Sequence, residues 1–194
     1  MSRCARVNAN GSTNCSPTGR PIAGRVLVIG ALGRSGRGAC DALALAGARV
    51  TEWDVEQTRQ LDRDALLAHE LLVNTVLVTR PVPPFVTAAD ADDPARALRV
   101  ICDVTCDVGS PYNLLPIYDE LTSWQQPTRR LRDGDVPLDI IAIDNLPALL
   151  PLEASVSFSA ELAPRLRELA GPSAPWQRCR QRFDHAVAEL AGTD

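Results

Sequence analysis

Lysine is absent from the chain: all 20 basic residues are arginine. No lysine of this chain is therefore available as a general base. Histidine is nearly as scarce, with only His69 and His185. His69 falls in an expected surface helix and His185 beside Arg182 and Asp184, and both read as solvated or structural. An excess of basic charge is also missing. The net charge of −4 gives no electrostatic footprint for nucleic acid. No apolar run approaches ~18 residues, so no membrane span is expected. The opening Met1-Ser-Arg-Cys-Ala-Arg lacks the apolar core of a secretory signal. The six cysteines are scattered, and the closest pair, Cys102 and Cys106, has no second pair at zinc-site spacing. No metal site is expected, and the reading is a reduced, cytoplasmic protein. Cys102 reads as core and Cys106 as loop lining.

What is present is one informative stretch, Arg25-Val-Leu-Val-Ile-Gly-Ala-Leu-Gly-Arg-Ser-Gly-Arg-Gly-Ala39. An apolar strand ends at Gly30, and an amphipathic helix follows Gly38. Strand, glycine-rich turn and helix are the means by which a doubly wound α/β fold grips a dinucleotide. Gly30 turns the chain off the strand and Gly33 lets the backbone approach the pyrophosphate. Gly36 lets the helix pack on the sheet, with its N-terminal N–H groups facing the phosphates. The spacing is GxxGxxG, so context has to support it. Gly47 stops the helix, and Ala48–Asp54 reads as a second strand ending in an acid. This fold places a carboxylate there to bind the adenosine ribose hydroxyls. Asp54 would repel a 2′-phosphate and so favours NAD over NADP, although Arg34 in the same turn is able to hold a phosphate.

The 194 residues suit one domain with a full core, with or without a small appendage. Residues 1–22 are polar and turn-rich and read as a disordered tail. Residues 23–147 read as a Rossmann-like doubly wound parallel sheet, and residues 148–194 as two C-terminal helices, Glu153 to Leu169 and Trp176 to Leu190. Within the sheet, Leu71–Val78 reads as a buried parallel strand, Arg99–Asp103 as a fourth and Leu138–Ile143 as a fifth. Short helices are expected over Asp62–Glu70 and Asp92–Leu98. Arg80-Pro-Val-Pro-Pro84 is a rigid loop at a strand's carboxyl end, where ligand sites of this architecture gather.

Gly30-Ala-Leu-Gly-Arg-Ser-Gly, Trp53-Asp54, Arg80-Pro-Val-Pro-Pro-Phe85, Cys102-Asp-Val-Thr-Cys-Asp107 and Ile143-Asp-Asn-Leu-Pro-Ala-Leu-Leu-Pro-Leu-Glu-Ala-Ser155 together resemble one family. They occur in the order found in the carboxyl-terminal half of the NAD-dependent, lysine-forming saccharopine dehydrogenases. The resemblance covers roughly Gly24 to Leu190. It implies that Gly33 and Arg34 contact the pyrophosphate, Asp54 the adenosine ribose, and Thr58 the same end of NAD. Leu77 stands where the family has a tyrosine, so only its backbone is implied. Val104 is implied on the nicotinamide side, and Thr105, Cys106 and Asp107 in a substrate-facing loop. Ile143, Asp144, Asn145 and Leu146 match the segment that closes over the cofactor, with Asn145 replacing a histidine. Ser35 stands where some members carry a cysteine able to pair with one near Thr75, so that redox link is absent.

The implied reaction is oxidative deamination of saccharopine to lysine and 2-oxoglutarate with NAD. Family members are longer, and a separate amino-terminal domain supplies a lysine base and a histidine acid, so no catalytic residue is assigned to this chain. Asp107 reads as the holder of the substrate ammonium rather than as a base. Asp144 reads equally as a turn cap or a site residue. Three readings follow: a dehydrogenase whose catalytic domain lies elsewhere, a stand-alone NAD-binding module, and another opine or amino-acid dehydrogenase on the same fold.

Overall fold

The computed structural model describes residues 24–191. The expected disordered tail lies outside them. Contacts divide the chain into two compact units, one ending at Asp144 and the other beginning at Asn145.

The first unit is a six-stranded sheet, β1 (Arg25–Ile29), β2 (Arg49–Trp53), β3 (Leu71–Asn74), β4 (Val100–Asp103), β5 (Arg129–Arg132) and β6 (Leu138–Ile141). The spatial order is β2-β1-β3-β4-β6-β5. All neighbours are parallel except β5, which runs antiparallel along the edge. The chain moves from β1 outward to β2 and returns on the other side of β1 as β3, so the strand order reverses at the carboxyl end of β1. Ligands of open α/β sheets bind at that switch point.

Val26, Leu27, Val28 and Ile29 are all fully buried, as a central parallel strand covered on both faces requires. Alternate side chains serve opposite faces. Leu27 and Ile29 join the larger core with Leu66, Leu72, Phe85, Leu98, Leu115 and Ile140. Val26 and Val28 join a smaller one with Val73, against which Ala39, Cys40 and Leu43 of α1 (Arg34–Leu45) pack.

Four expectations are corrected. The run Leu71–Val78 is strand only as far as Asn74, because the Asn74 side chain accepts the Val76 N–H at 3.2 Å and turns the backbone out of the sheet. The helix expected over Asp92–Leu98 lies earlier, as α4 (Ala88–Asp92), capped by Thr87. Pro94 disfavours helical geometry at Asp93, which is extended at ψ 116°. Two one-turn helices precede it, α2 (Val55–Thr58) and α3 (Arg63–Leu67). His69 follows α3 and is buried rather than surface-exposed. One ring nitrogen lies 2.8 Å from the Ala65 carbonyl and the other 2.9 Å from the Thr51 hydroxyl, so its role is structural. Finally, β5 was not expected. Its Arg-Arg-Leu-Arg sequence carries no apolar alternation, and ion pairs of Arg130 with Asp139 and of Arg132 with Asp92 hold it.

The second unit contains a 3-10 turn (Leu146–Leu149) and the helices α5 (Pro151–Arg167) and α6 (Ala174–Ala191). Within it, the Trp176 indole donates to the Arg165 carbonyl at 2.7 Å, and neither helix has a fully buried residue.

Candidate functional site: the carboxyl edge of the sheet

At the switch point, Gly30 has φ +86°, a left-handed conformation open to glycine. A Cβ there would stand 2.6 Å from the Thr75 hydroxyl, which itself donates to the Ile29 carbonyl at 2.9 Å. The turn is stitched to β2, since the N–H groups of Gly30 and Ala31 both donate to the Trp53 carbonyl, at 2.9 and 3.1 Å. Gly36 is buried in the first turn of α1, where a Cβ would lie 2.0 Å from the Gly30 carbonyl oxygen. The glycine therefore sets how closely helix and strand approach. No side chain caps the start of α1, and uncapped helix N-termini offer N–H groups and a favourable dipole to anions. Gly33 and Arg34 occupy this exposed junction.

Asp54 ends β2 and sits beside the turn. Its carboxylate accepts the N–H of Leu32 at 3.0 Å and that of Val55 at 2.8 Å, and its own N–H donates to Gln57 at 2.9 Å. The carboxylate also accepts the Gln57 N–H in a capping box, so about one of its roughly four acceptor positions remains for a ligand. A recess of about 480 Å³ opens here, lined by Ala31, Leu32, Asp54 and Gln57, with Glu52 and Glu56 adding negative charge and Arg59 a positive one. Thr58 and Leu77 meet in a neighbouring recess of about 440 Å³ under the loop that follows β3. The Thr58 hydroxyl donates to the Asp54 carbonyl at 3.1 Å, leaving its acceptor positions and its methyl for contact, and Leu77 is 71% exposed.

On the other side of the switch point, the loop after β4 is held from beneath. Asp103, the last residue of β4, is 2% exposed. Its Oδ1 accepts from Asn74 Nδ2 and from the Thr105 N–H, both at 3.0 Å, and its Oδ2 accepts from the Tyr118 hydroxyl at 2.7 Å. The Thr105 hydroxyl donates to the Val76 carbonyl at 3.1 Å, and the Val104 N–H to the Asn74 carbonyl at 2.9 Å. Cys106 adopts φ 53°, and its thiol donates to the Asp103 carbonyl at 3.0 Å. Burial, followed by the charges of Asp103 and Asp144, pushes that thiol up to about 12. Burial and the bond to Asp103 push the Tyr118 phenol up as well, with Asp107 adding to the effect. Cys106 is thus a neutral, committed thiol.

The structure brings Gly30, Gly33, Arg34, Gly36, Asp54, Thr58 and Leu77 to the carboxyl ends of β1, β2 and β3. Val104, Thr105, Cys106 and Asp107 follow β4, and Ile143 and Asp144 follow β6. Ile143 is 9% exposed and forms an isolated parallel bridge with Thr122. Asn145 and Leu146 belong to the second unit, where Asn145 adopts φ 57° and opens the 3-10 turn. Sequence reasoning missed Asn74, Tyr118 and the role of Asp103. A polar residue closing each of two apolar strands, Asn74 and Asp103, was the available signal. Tyr118 had none, because the contact spans 15 positions through an irregular loop.

The fold and its glycine turn define a Rossmann-type α/β protein. In agreement, an L-alanine dehydrogenase structure superposes with a TM-score of 0.54 at 24% identity, over 77% of this chain and 44% of that one. No family model matches the sequence. Curated relatives do: the chain is related by sequence to the NAD(+), L-lysine-forming saccharopine dehydrogenases. The protein of that name from Schizosaccharomyces pombe is 38% identical over 174 residues, and that from Neurospora crassa 41% identical over 175. Both alignments take in 86% of this chain and 47% of the relative, so the chain spans about half the length of the curated relatives it matches.

Proposed function

We propose that this chain is the NAD-binding part of an oxidoreductase that oxidatively deaminates saccharopine to L-lysine and 2-oxoglutarate. The observation that carries the reading is Asp54. Its carboxylate stands at the end of β2, tied to the Leu32 N–H of the glycine turn at 3.0 Å and facing a recess. That is the placement a ribose diol requires. The glycine turn fits a pyrophosphate on chemistry and space, because the junction of β1 and α1 carries no capping side chain and Gly36 keeps the two close. From β2, the remainder of a dinucleotide extends over β1 and β3 to β4, three interstrand steps or about 14 Å. This brings its second half to Val104 and Thr105. NAD, when bound, supplies the hydride acceptor.

The chain's own residues hold and orient. Gly33, Arg34 and the first turn of α1 take the phosphates, and Asp54 takes the ribose hydroxyls. Thr58 and Leu77 flank the same end, Val104 backs the ring end, and Thr105, Cys106 and Asp107 face the substrate, with Asp107 placed to hold an ammonium. Ile143 and Asp144, after β6, are assigned to closure over the cofactor. Proton transfer is assigned to groups from outside the described residues. The sequence contains no lysine, His69 is bonded on both sides, and His185 lies on exposed α6 facing Glu189 at 3.3 Å. That same absence favours a second reading, an NAD-binding module without chemistry of its own.

Calorimetry with NAD, together with a saccharopine-dependent NADH assay on the same sample, tests both. Binding with no turnover is the expected result for the chain alone. Turnover would remove the assignment of proton transfer to an outside group, and no NAD binding would remove both readings. Turnover with another amino or imino acid in place of saccharopine would reassign the substrate.

A further inference from the structure

Asp103 is a carboxylate at 2% exposure, and among the described residues its hydrogen bonds come from neutral donors: Asn74 Nδ2, the Thr105 N–H and the Tyr118 hydroxyl. Burying such a charge is costly, and an apolar core of the same volume is often at least as stable. Stability alone is therefore a poor account of it. Its partners have one thing in common: each belongs to, or braces, the carboxyl edge between β3 and β4. Asn74 and Asp103 are paired in register as the last residues of those strands. The Asn74 carbonyl oxygen of the side chain shapes the turn at Val76 at 3.2 Å, and Thr105 returns a bond to the Val76 carbonyl at 3.1 Å. Cys106 is held at φ 53° with its thiol on the Asp103 carbonyl. A non-glycine residue in that region persists only where its surroundings over-determine it.

We propose that Asp103, braced by Asn74 and Tyr118, is a positioning residue that preforms the Val104–Asp107 loop for the ring end of the dinucleotide. The proposal rests on the NAD-binding reading above. The adenosine end is fixed independently, through Asp54 and the glycine turn, so the network acts on one half of the ligand only. Tyr118 stays a donor because its phenol is pushed up by burial and by Asp103.

The test compares NADH with ADP-ribose, which lacks the ring, on the wild-type chain and on Tyr118→Phe and Asp103→Asn. Affinities come from calorimetry, and the emission of bound NADH reports the ring's surroundings. For Tyr118→Phe, NADH affinity is expected to fall about tenfold, the low end of what one hydrogen bond to a charged group contributes. Its ADP-ribose affinity should stay within about twofold, and the emission change on binding should shrink. Asp103→Asn should go further in the same direction. Should it fail to fold, Tyr118→Phe decides alone, with ADP-ribose binding as proof of folding. Equal losses for both ligands would mean a merely structural role and overturn the proposal, as would no loss for either. A wild-type chain that binds neither ligand would instead bring down the NAD-binding reading, and this proposal with it.

Discussion

Gly36 and Asp54 show how differently two residues of one motif act. At Gly36 the constraint is volume. A Cβ would sit 2.0 Å from the Gly30 oxygen and 2.7 Å from the Ala31 Cα, both backbone atoms with nowhere to move. Gly36→Ala is therefore expected to destabilise the chain by about 3 kcal/mol or to prevent folding, as seen by thermal or urea unfolding. Gly38, with nothing within 4 Å of its missing Cβ, is the control, and its alanine variant should fold normally. At Asp54 the constraint is chemical. Asp54→Ala removes a cap of α2, costing about 1 kcal/mol, and removes the acceptor for the ribose. NAD affinity should fall at least about tenfold by calorimetry, more than the loss of a cap explains. NADP should bind wild type more weakly than NAD, because Glu52, Asp54 and Glu56 outnumber Arg59 in the recess a 2′-phosphate would enter. Unchanged NAD affinity would remove Asp54 from the site.

Among the elements, the proline loop after β3 depends on one arginine. Arg63 of α3 donates to the carbonyls of Pro84 at 2.9 Å and Phe85 at 3.2 Å, and pairs with Asp90 of α4 at 2.5 Å. Proline fixes φ within the loop, but Arg63 fixes where the loop lies. Arg63→Ala should lower stability by about 2 kcal/mol. Faster amide hydrogen exchange should appear at Thr87 and Phe85 while β1 stays protected. The same element explains what sequence reasoning read well and badly. Arg80–Pro84 was legible as a loop because proline cannot donate to a ladder. Arg63 was not, because its acceptors lie more than 20 positions away.

For the whole molecule, the shifted thiols and phenol give a pH dependence. Cys106 and Tyr118 both have raised values in the fold, so the folded state holds these protons more tightly than the unfolded one. The stability they contribute is fully present below the ordinary thiol value of 9.0 and is lost as pH rises through about 12 for Cys106. Urea midpoints should therefore fall steadily above about pH 9. In the same range, Cys179, which is exposed, should alkylate well before Cys106. A midpoint that stays flat to pH 11 would show that Cys106 is not buried as described. Among the described residues, no helix is long and apolar enough to cross a membrane.

The sequence by itself determined what depends on neighbours along the chain. It showed the strand, glycine turn and helix around Gly30, the acid closing β2, the positions along the chain of the five parallel strands and the two long helices after Leu150. Each is written as a local pattern of apolar spacing, glycine or proline, and such patterns are set by backbone geometry. Only the tertiary structure decided the rest. That includes β5 as an antiparallel edge, the early end of β3 at Asn74, the burial of His69, and the Asn74–Asp103–Tyr118 brace. These depend on hydrogen bonds and ion pairs between residues distant in sequence, and a buried polar group acquires its meaning only from the partner that satisfies it.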